Sequence, residues 1–249
     1  MNTLVLLKQV PDLVEDLELN DDGNGLDPDE VDFKLNEFDD HALEEALLLK
    51  EAGGGTVTAA IFDGDGADKI LYTALAKGAD EAIKVSGLEP EEIDSTYVAA
   101  KAFAGLVRER KPDLVVTGVQ ACDDRDGQLA PLVAALCDLP CVGVVAGVTG
   151  GGGKVTVQKE LSGGMVAELE MTLPGVLGVQ AASKTPRYVP VSKVRQVQGE
   201  ASLGEFEADQ DDPRTKIASM SPPETGAGAK MLGGVEELLD VLKQAGAVS

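Results

Sequence analysis

A chain of 249 residues has room for one large α/β domain with an appendage or for two small domains, and its 43% apolar content supplies a full core. Lys and Arg number 21 against 44 Asp and Glu, a formal net charge of −23, which argues against nucleic acid and anionic membranes as partners because their phosphates would be repelled. The acids are spread along the whole chain, which favours a generally acidic, salt-adapted surface over one acidic partner-binding face.

In chain order, the first strand-like run is 3–7, followed by a helix-like segment at 38–52. Strand 56–62, helix 67–76, strand 81–85, helix 95–110, strand 114–119, helix 129–136 and strand 142–148 follow. Strands alternating with helices at this spacing predict βαβ units: an α/β, Rossmann-like, mostly parallel twisted sheet with flanking helices. After Gly150 the pattern changes, and 154–160 and 166–172 alternate apolar and polar residues around Ser162-Gly163-Gly164, which predicts an antiparallel hairpin. One more buried strand is expected at 174–180. From Gln196 the chain is polar and acidic until a periodic helix at 234–244 carrying Val235, Leu238, Leu239 and Leu242. This stretch has too little apolar surface to fold alone. The expected division is a nucleotide-binding α/β domain at 1–195 and, at 196–249, an extended arm whose helix packs on a partner.

The N-terminus has only a short apolar run before Lys8, no run approaches membrane-spanning length, and Cys122, Cys137 and Cys141 show neither metal spacing nor an even count. A soluble, cytoplasmic, reduced protein is expected.

The stretch 113–137 is the most suggestive for chemistry. A buried strand passes through a small-residue, acidic loop into a helix with Pro131 near its start, the place where open α/β sheets put ligands. Backbone N–H groups at that helix start suit an anion. The loop has no glycine-rich fingerprint and no Lys, so the pattern indicates a nucleotide or another small anionic ligand. Asp123, Asp124 and Asp126 oppose a phosphate there, and Arg125 offsets them in part. These aspartates lack the Gly and closing Glu of a calcium loop, so no metal site is expected. Asp63-Gly64-Asp65-Gly66 after the second strand is either ligand-facing or a plain turn. His41 is the one histidine and has no nucleophile nearby in sequence, which favours a structural role, and no catalytic residue is expected.

Five separated segments resemble, in order, the small (beta) subunit of electron-transfer flavoproteins. Lys8-Gln9-Val10-Pro11-Asp12 is similar to that family's opening VKQVPD. Asn36-Glu37-Phe38-Asp39, followed by Ala42-Leu43-Glu44-Glu45-Ala46, resembles its N-P-F/Y-D…A-x-E-x-A, with Glu37 where Pro is usual. Residues 73–80 (TALAKGAD) resemble ALAMGAD, and 120–131 (QACDDRDGQLAP) resemble the nucleotide loop QAIDGDTAQVGP. Pro186-Arg187-Tyr188-Val189-Pro190-Val191 resembles PRYATLP.

The resemblance implies a heterodimer with a larger alpha subunit that holds a redox-active FAD. Such a carrier passes electrons from acyl-CoA and related dehydrogenases of fatty acid β-oxidation to a quinone-reducing acceptor. The beta subunit buries AMP or, in electron-bifurcating members, a second FAD. By position, Leu6, Asn36, Glu37, Phe38, Asp39, Asp63, Ala121, Cys122, Asp123, Asp126, Gln128, Leu129 and Ala130 would line the nucleotide site. Phe38 would also approach the partner's isoalloxazine ring, besides serving as a core aromatic at the helix start. Ala130 replaces a usual Gly and Asp126 a usual small residue, which would make that helix start more crowded and more negative. Residues 187–196 match the family's recognition loop for dehydrogenases, with Val191 at its apolar anchor and Tyr188 and Val189 beside it. Arg187, Lys193 and Arg195 would form a cationic cluster facing acidic partners; the alternative is that Val189 and Val191 alternate inward on a strand.

Overall fold

Runs of β-branched and leucine residues bounded by turns form the strands, and the 3.6-residue apolar spacing between them forms the helices. The computed structural model describes all residues except 15, 28, 90–92, 125, 212, 214–216, 223–225, 227 and 249. The elements are β1 (Asn2–Leu7), β2 (Gln9–Pro11), β3 (Phe33–Leu35), α1 (Glu37–Gly53), β4 (Thr56–Phe62), α2 (Ala67–Lys77), β5 (Glu81–Ser86), α3 (Thr96–Arg110), β6 (Leu114–Gly118) and α4 (Leu129–Leu136). The chain continues through β7 (Cys141–Gly151), β8 (Lys154–Leu161), a 3₁₀ turn (Ser162–Gly164), β9 (Met165–Thr172), β10 (Gly175–Val179), α5 (Val191–Glu200), β11 (Gly204–Glu207) and α6 (Val235–Gln244).

Nine strands form one sheet in the order β11-β5-β4-β1-β6-β10-β7-β8-β9. Every pairing from β11 to β7 is parallel, and β8 and β9 add antiparallel. The expected α/β architecture with its added hairpin is therefore present. Because side chains alternate across a strand, β1 serves both faces. Val5 and Leu7 pack with Leu43, Leu47 and Leu71 of α1 and α2, while Leu4 and Leu6 pack with Phe103, Leu106 and Val133 of α3 and α4. The Phe62 and Phe103 rings meet at 4.3 Å between centroids in the second layer. Central strands covered on both faces read as unbroken apolar runs, and β6 and β10 are buried at every residue.

Four elements depart from the sequence expectation. β2 and β3 pair antiparallel as a separate two-stranded ribbon, and β11, within the stretch read as a polar arm, adds parallel to β5 at the sheet edge. Residues 187–196, read as a loop with a strand as the alternative, run into helix α5, which carries no buried residue and packs on α2. No described helix is long and apolar enough to cross a membrane.

The order β4-β1-β6 places the topological switch point beside β1. The chain leaves β1 through α1 toward β4 and β5, then returns to β6 on the other side. Crevices outside the carboxyl ends of such strands are where α/β sheets bind ligands.

Candidate functional site

The first turn of α1 closes that crevice from below. Asn36 is buried, and its backbone N–H donates to the Lys8 carbonyl at 2.9 Å. Its side-chain amide donates to the Gln120 carbonyl at 2.9 Å instead of capping its own helix. Asp39, 4% exposed, accepts the Lys8 N–H at 2.8 Å and the Gly118 N–H at 2.6 Å, so one carboxyl fastens the ends of β1 and β6 together. Gly118 is required for this approach, since a Cβ there would lie 2.4 Å from Asp39 Oδ1 and 2.9 Å from its backbone nitrogen. Burial pushes the Asp39 carboxyl up to about 7, against the opposing pull of the bonds from Gly118, Asn36 and Lys8.

Above this clasp lies a groove of about 410 Å³, lined by Val10, Pro11, Leu13, Lys34, Asn36, Glu37, Phe38, Gln120, Ala121 and Cys122. Small-molecule sites span about 300–1,000 Å³, so a mononucleotide-sized group fits. A smaller hollow of about 270 Å³, lined by residues including Met1, Asp113 and Pro174, is separate and sits at the opposite ends of the strands. The groove's donor chemistry suits an anion. α1 and α4 both begin at this edge, and neither Asn36 nor Gln128 caps its helix with a side chain, leaving first-turn N–H groups for a ligand. Lys8 pairs with Asp123 at 2.8 Å and Lys34 with Asp12 at 2.8 Å, so two ammonium groups stand at the acidic rim.

Of the residues expected to form the site, Asn36, Glu37, Phe38, Ala121 and Cys122 meet at the groove, with Asp39 directly beneath. Asp123 stands at its edge through Lys8, while Asp126 and Gln128 are exposed on the loop and Leu129 is half-buried. The side chain of Leu6 is fully buried in the α3/α4 layer, away from the groove. Ala130 is also buried there, and a Cβ placed on Gly178 of β10 would come within 3.4 Å of its methyl; this methyl faces the sheet, so it does not crowd the helix start. Asp63 does not line the groove. Its carboxylate takes the Gly64 N–H and pairs with Lys84 at 3.4 Å, and the loop is tied to the site by Gly66 N–H donating to Gln9 Oε1 at 2.9 Å. Arg125 lies outside the described residues. Burial and the neighbouring Asp123 push the Cys122 thiol up, which keeps it protonated.

Sequence reasoning missed Lys8, Lys34, Val10, Pro11, Leu13 and Gln120 as lining or rim groups. The available signal was position: 8–13 directly follow the carboxyl end of β1, and Gln120 follows that of β6.

The second expected site, at 187–195, divides in two. Arg187 turns inward, with Nε 2.9 Å from Glu44 Oε2, Nη2 2.9 Å from Glu44 Oε1 and Nη1 2.6 Å from Glu51 Oε1. It therefore does not join Lys193 and Arg195 in an outward cationic cluster, because a nearly buried carboxylate claims its charge. Burial raises the Glu44 carboxyl, but the bonds from Arg187 outweigh it and hold the group below its ordinary range. Tyr188 is 84% and Val191 62% exposed, and Val189 is half-buried. His41 accepts the Ala182 N–H at its Nδ1 (3.1 Å), which is a structural contact.

The model of the electron transfer flavoprotein domain matches residues 25–210. The chain is 32% identical to electron transfer flavoprotein subunit beta of Methylophilus methylotrophus, over 95% of this chain and 94% of that one. It is 29% identical to the subunit beta of Bacillus subtilis (strain 168), over 98% of each chain. It is 30% identical to that of Mus musculus, over 100% of this chain and 99% of the relative.

Proposed function

Since this chain belongs to the electron transfer flavoprotein family as a beta subunit, we propose that it pairs with an alpha subunit and holds a structural AMP in the groove at the β1/β6 switch point. The observation that carries the reading is convergence. Segments 10–13, 34–38 and 120–122, far apart in sequence, meet at one groove, on the edge of the sheet where α1 and α4 start uncapped.

In this reading the first-turn N–H groups of α1 and α4 take the phosphate, and Lys8 and Lys34 offset the aspartates at the rim. Val10, Pro11, Leu13 and Phe38 provide apolar walls. An FAD held mainly by the alpha subunit supplies the redox chemistry when bound. This chain contributes burial, orientation and partner recognition, so that electrons pass from acyl-CoA and other dehydrogenases to a quinone-reducing acceptor in the cytoplasm. The segment 187–195 meets the dehydrogenase through Tyr188, Val189, Val191, Lys193 and Arg195. Beyond β11, which stays on this chain's own sheet, the arm packs on the alpha subunit, supported by the apolar stripe of α6, where Val235 is 73% and Leu238 and Leu239 are each 44% exposed. AMP acts structurally, because a ligand that binds only the folded state stabilises that state by mass action.

The test is to co-express the two subunits, denature the purified complex and identify the released nucleotides by chromatography. One FAD and one AMP per heterodimer is the expected result. Two FAD and no AMP would replace this reading with an electron-bifurcating complex that holds a second FAD in this chain.

A further inference from the structure

Helix α1 uses one face to hold the chain that leaves β10. The N–H groups of Ala182, Ser183 and Arg187 end respectively on His41 Nδ1 (3.1 Å), Glu45 Oε2 (2.7 Å) and Glu44 Oε2 (3.0 Å). The Arg187 guanidinium then closes on Glu44 as a two-pronged fork and extends to Glu51, a geometry that fixes direction as well as distance. Glu44 is 3% exposed. Residues 185–190 belong to neither helix nor strand and bury no side chain fully, so no core contact of their own holds them. Immediately beyond Arg187 the chain faces outward with Tyr188 and Val191, and Lys184, Lys193 and Arg195 form no ion pair with a described residue.

We infer that Glu44, assisted by Glu51, is a positioning residue for protein docking: by locking Arg187 it presents Tyr188, Val191, Lys193 and Arg195 as a preformed surface for an acidic electron-donor protein. This rests on the docking role proposed above for 187–195. Three cations remain unpaired among the described residues while Arg187 is consumed internally, so the segment's one inward cation aims the outward ones. A surface ordered before encounter spares the ordering cost on binding, and without the clamp that cost falls on the complex.

The experiment uses the heterodimer carrying Glu44→Gln, Glu51→Gln, Arg187→Lys or Val191→Asp. Hydrogen exchange is followed over 184–200. Flavin reduction is measured with an acyl-CoA dehydrogenase as donor and with dithionite, which needs no docking. The Glu44→Gln heterodimer should exchange faster over 184–200 and show a KM for the dehydrogenase raised about fivefold at unchanged kcat, the signature of lost binding common to ground and transition states. Its reduction by dithionite should not change. Arg187→Lys should retain part of the wild-type KM, and Glu51→Gln, at a side chain 56% exposed, should move both readouts in the same direction without endangering the fold. If Val191→Asp raises KM while Glu44→Gln and Glu51→Gln match wild type in exchange or in KM, docking stands and the positioning role is overturned. If Val191→Asp leaves KM unchanged, the docking reading fails and the positioning role fails with it.

Discussion

The switch-point half of the sheet, on one side, and the β8–β9 hairpin and α6, on the other, treat apolar surface in opposite ways. Around β1, β6 and β10 both faces of the sheet are closed by helices, and every residue of β6 and β10 is buried. Each Leu or Val hidden there contributes about 1.5–3 kcal/mol relative to exposure. In the hairpin, Val155, Val157 and Met171 join the α1/α2 core, but Leu161, Met165, Val166 and Leu169 overhang it and stay 39–62% exposed. α6 goes further, with a stripe of Val and Leu and no buried residue. The first region can stabilise itself; the second leaves apolar side chains that no described residue covers, the surface that the proposed alpha subunit would bury.

Substitutions can break or sharpen this contrast. The largest effect is expected where the self-sufficient region clamps its own polar groups. Arg187→Met leaves Glu44 buried with the backbone N–H of residue 187 but without its guanidinium, and should cost about 3 kcal/mol, the low end for a broken buried pair because Arg187 keeps partial access to water. Urea unfolding checks this, and a change below about 1 kcal/mol would show the pair to be a surface ion pair in effect.

Gly118→Ala comes next, at about 1–3 kcal/mol, since its methyl must displace Asp39 or the start of α1. Wild-type stability in this variant would mean that the clasp is slack.

The pH dependence of the same clasp follows from Asp39. Its folded-state value of about 7 lies above the ordinary 3.8, so between those values the folded chain keeps a proton that the unfolded chain has released. Stability from this group is therefore full below about pH 4 and is lost as pH rises through 7, by up to about 1.4 kcal/mol per pH unit. The difference between wild type and Asp39→Asn, measured at pH 5, 6 and 7, should show this slope. Parallel profiles would mean that Asp39 is ionised throughout.

Ionic strength tests the acidic surface as a whole. With a formal charge of −23 on this chain, the heterodimer should melt at a lower temperature in low salt than in molar salt, where repulsion is screened. An unchanged melting temperature removes the salt-adaptation reading. The smallest effect on the chain itself is expected in its open region. Leu239→Ser on α6 should change the stability of the isolated subunit by less than about 0.5 kcal/mol, yet weaken assembly with the alpha subunit. An unchanged heterodimer affinity would show that α6 is not part of that interface.

How far the sequence speaks depends on how many residues carry each signal. The long alternation from β1 to α4 was legible because each element repeats its period several times. β2, β3 and β11, of three or four residues, are too short to show any period. α5 was hidden by its composition: Val189, Pro190 and Val191 read as extended chain, whereas the helix uses Val194 and Val197, three residues apart, as its half-buried side. At the groove, Asn36, Phe38 and Cys122 were legible as motif residues. The bond from Gly118 to Asp39 spans 79 positions and the pair of Lys8 with Asp123 spans 115, and no local pattern announces either.

The sequence by itself determined the fold class, the family and the edge of the sheet that holds the groove, because periodicity and motifs are local properties of the chain. Only the tertiary structure decided which charges are spent inside and which remain for partners. Arg187 looks like any surface cation until folding brings Glu44, 143 positions away, against it. Lys8 looks like the end of a strand until Asp123 arrives. Electrostatic roles depend on distance and burial in space, and sequence order encodes neither.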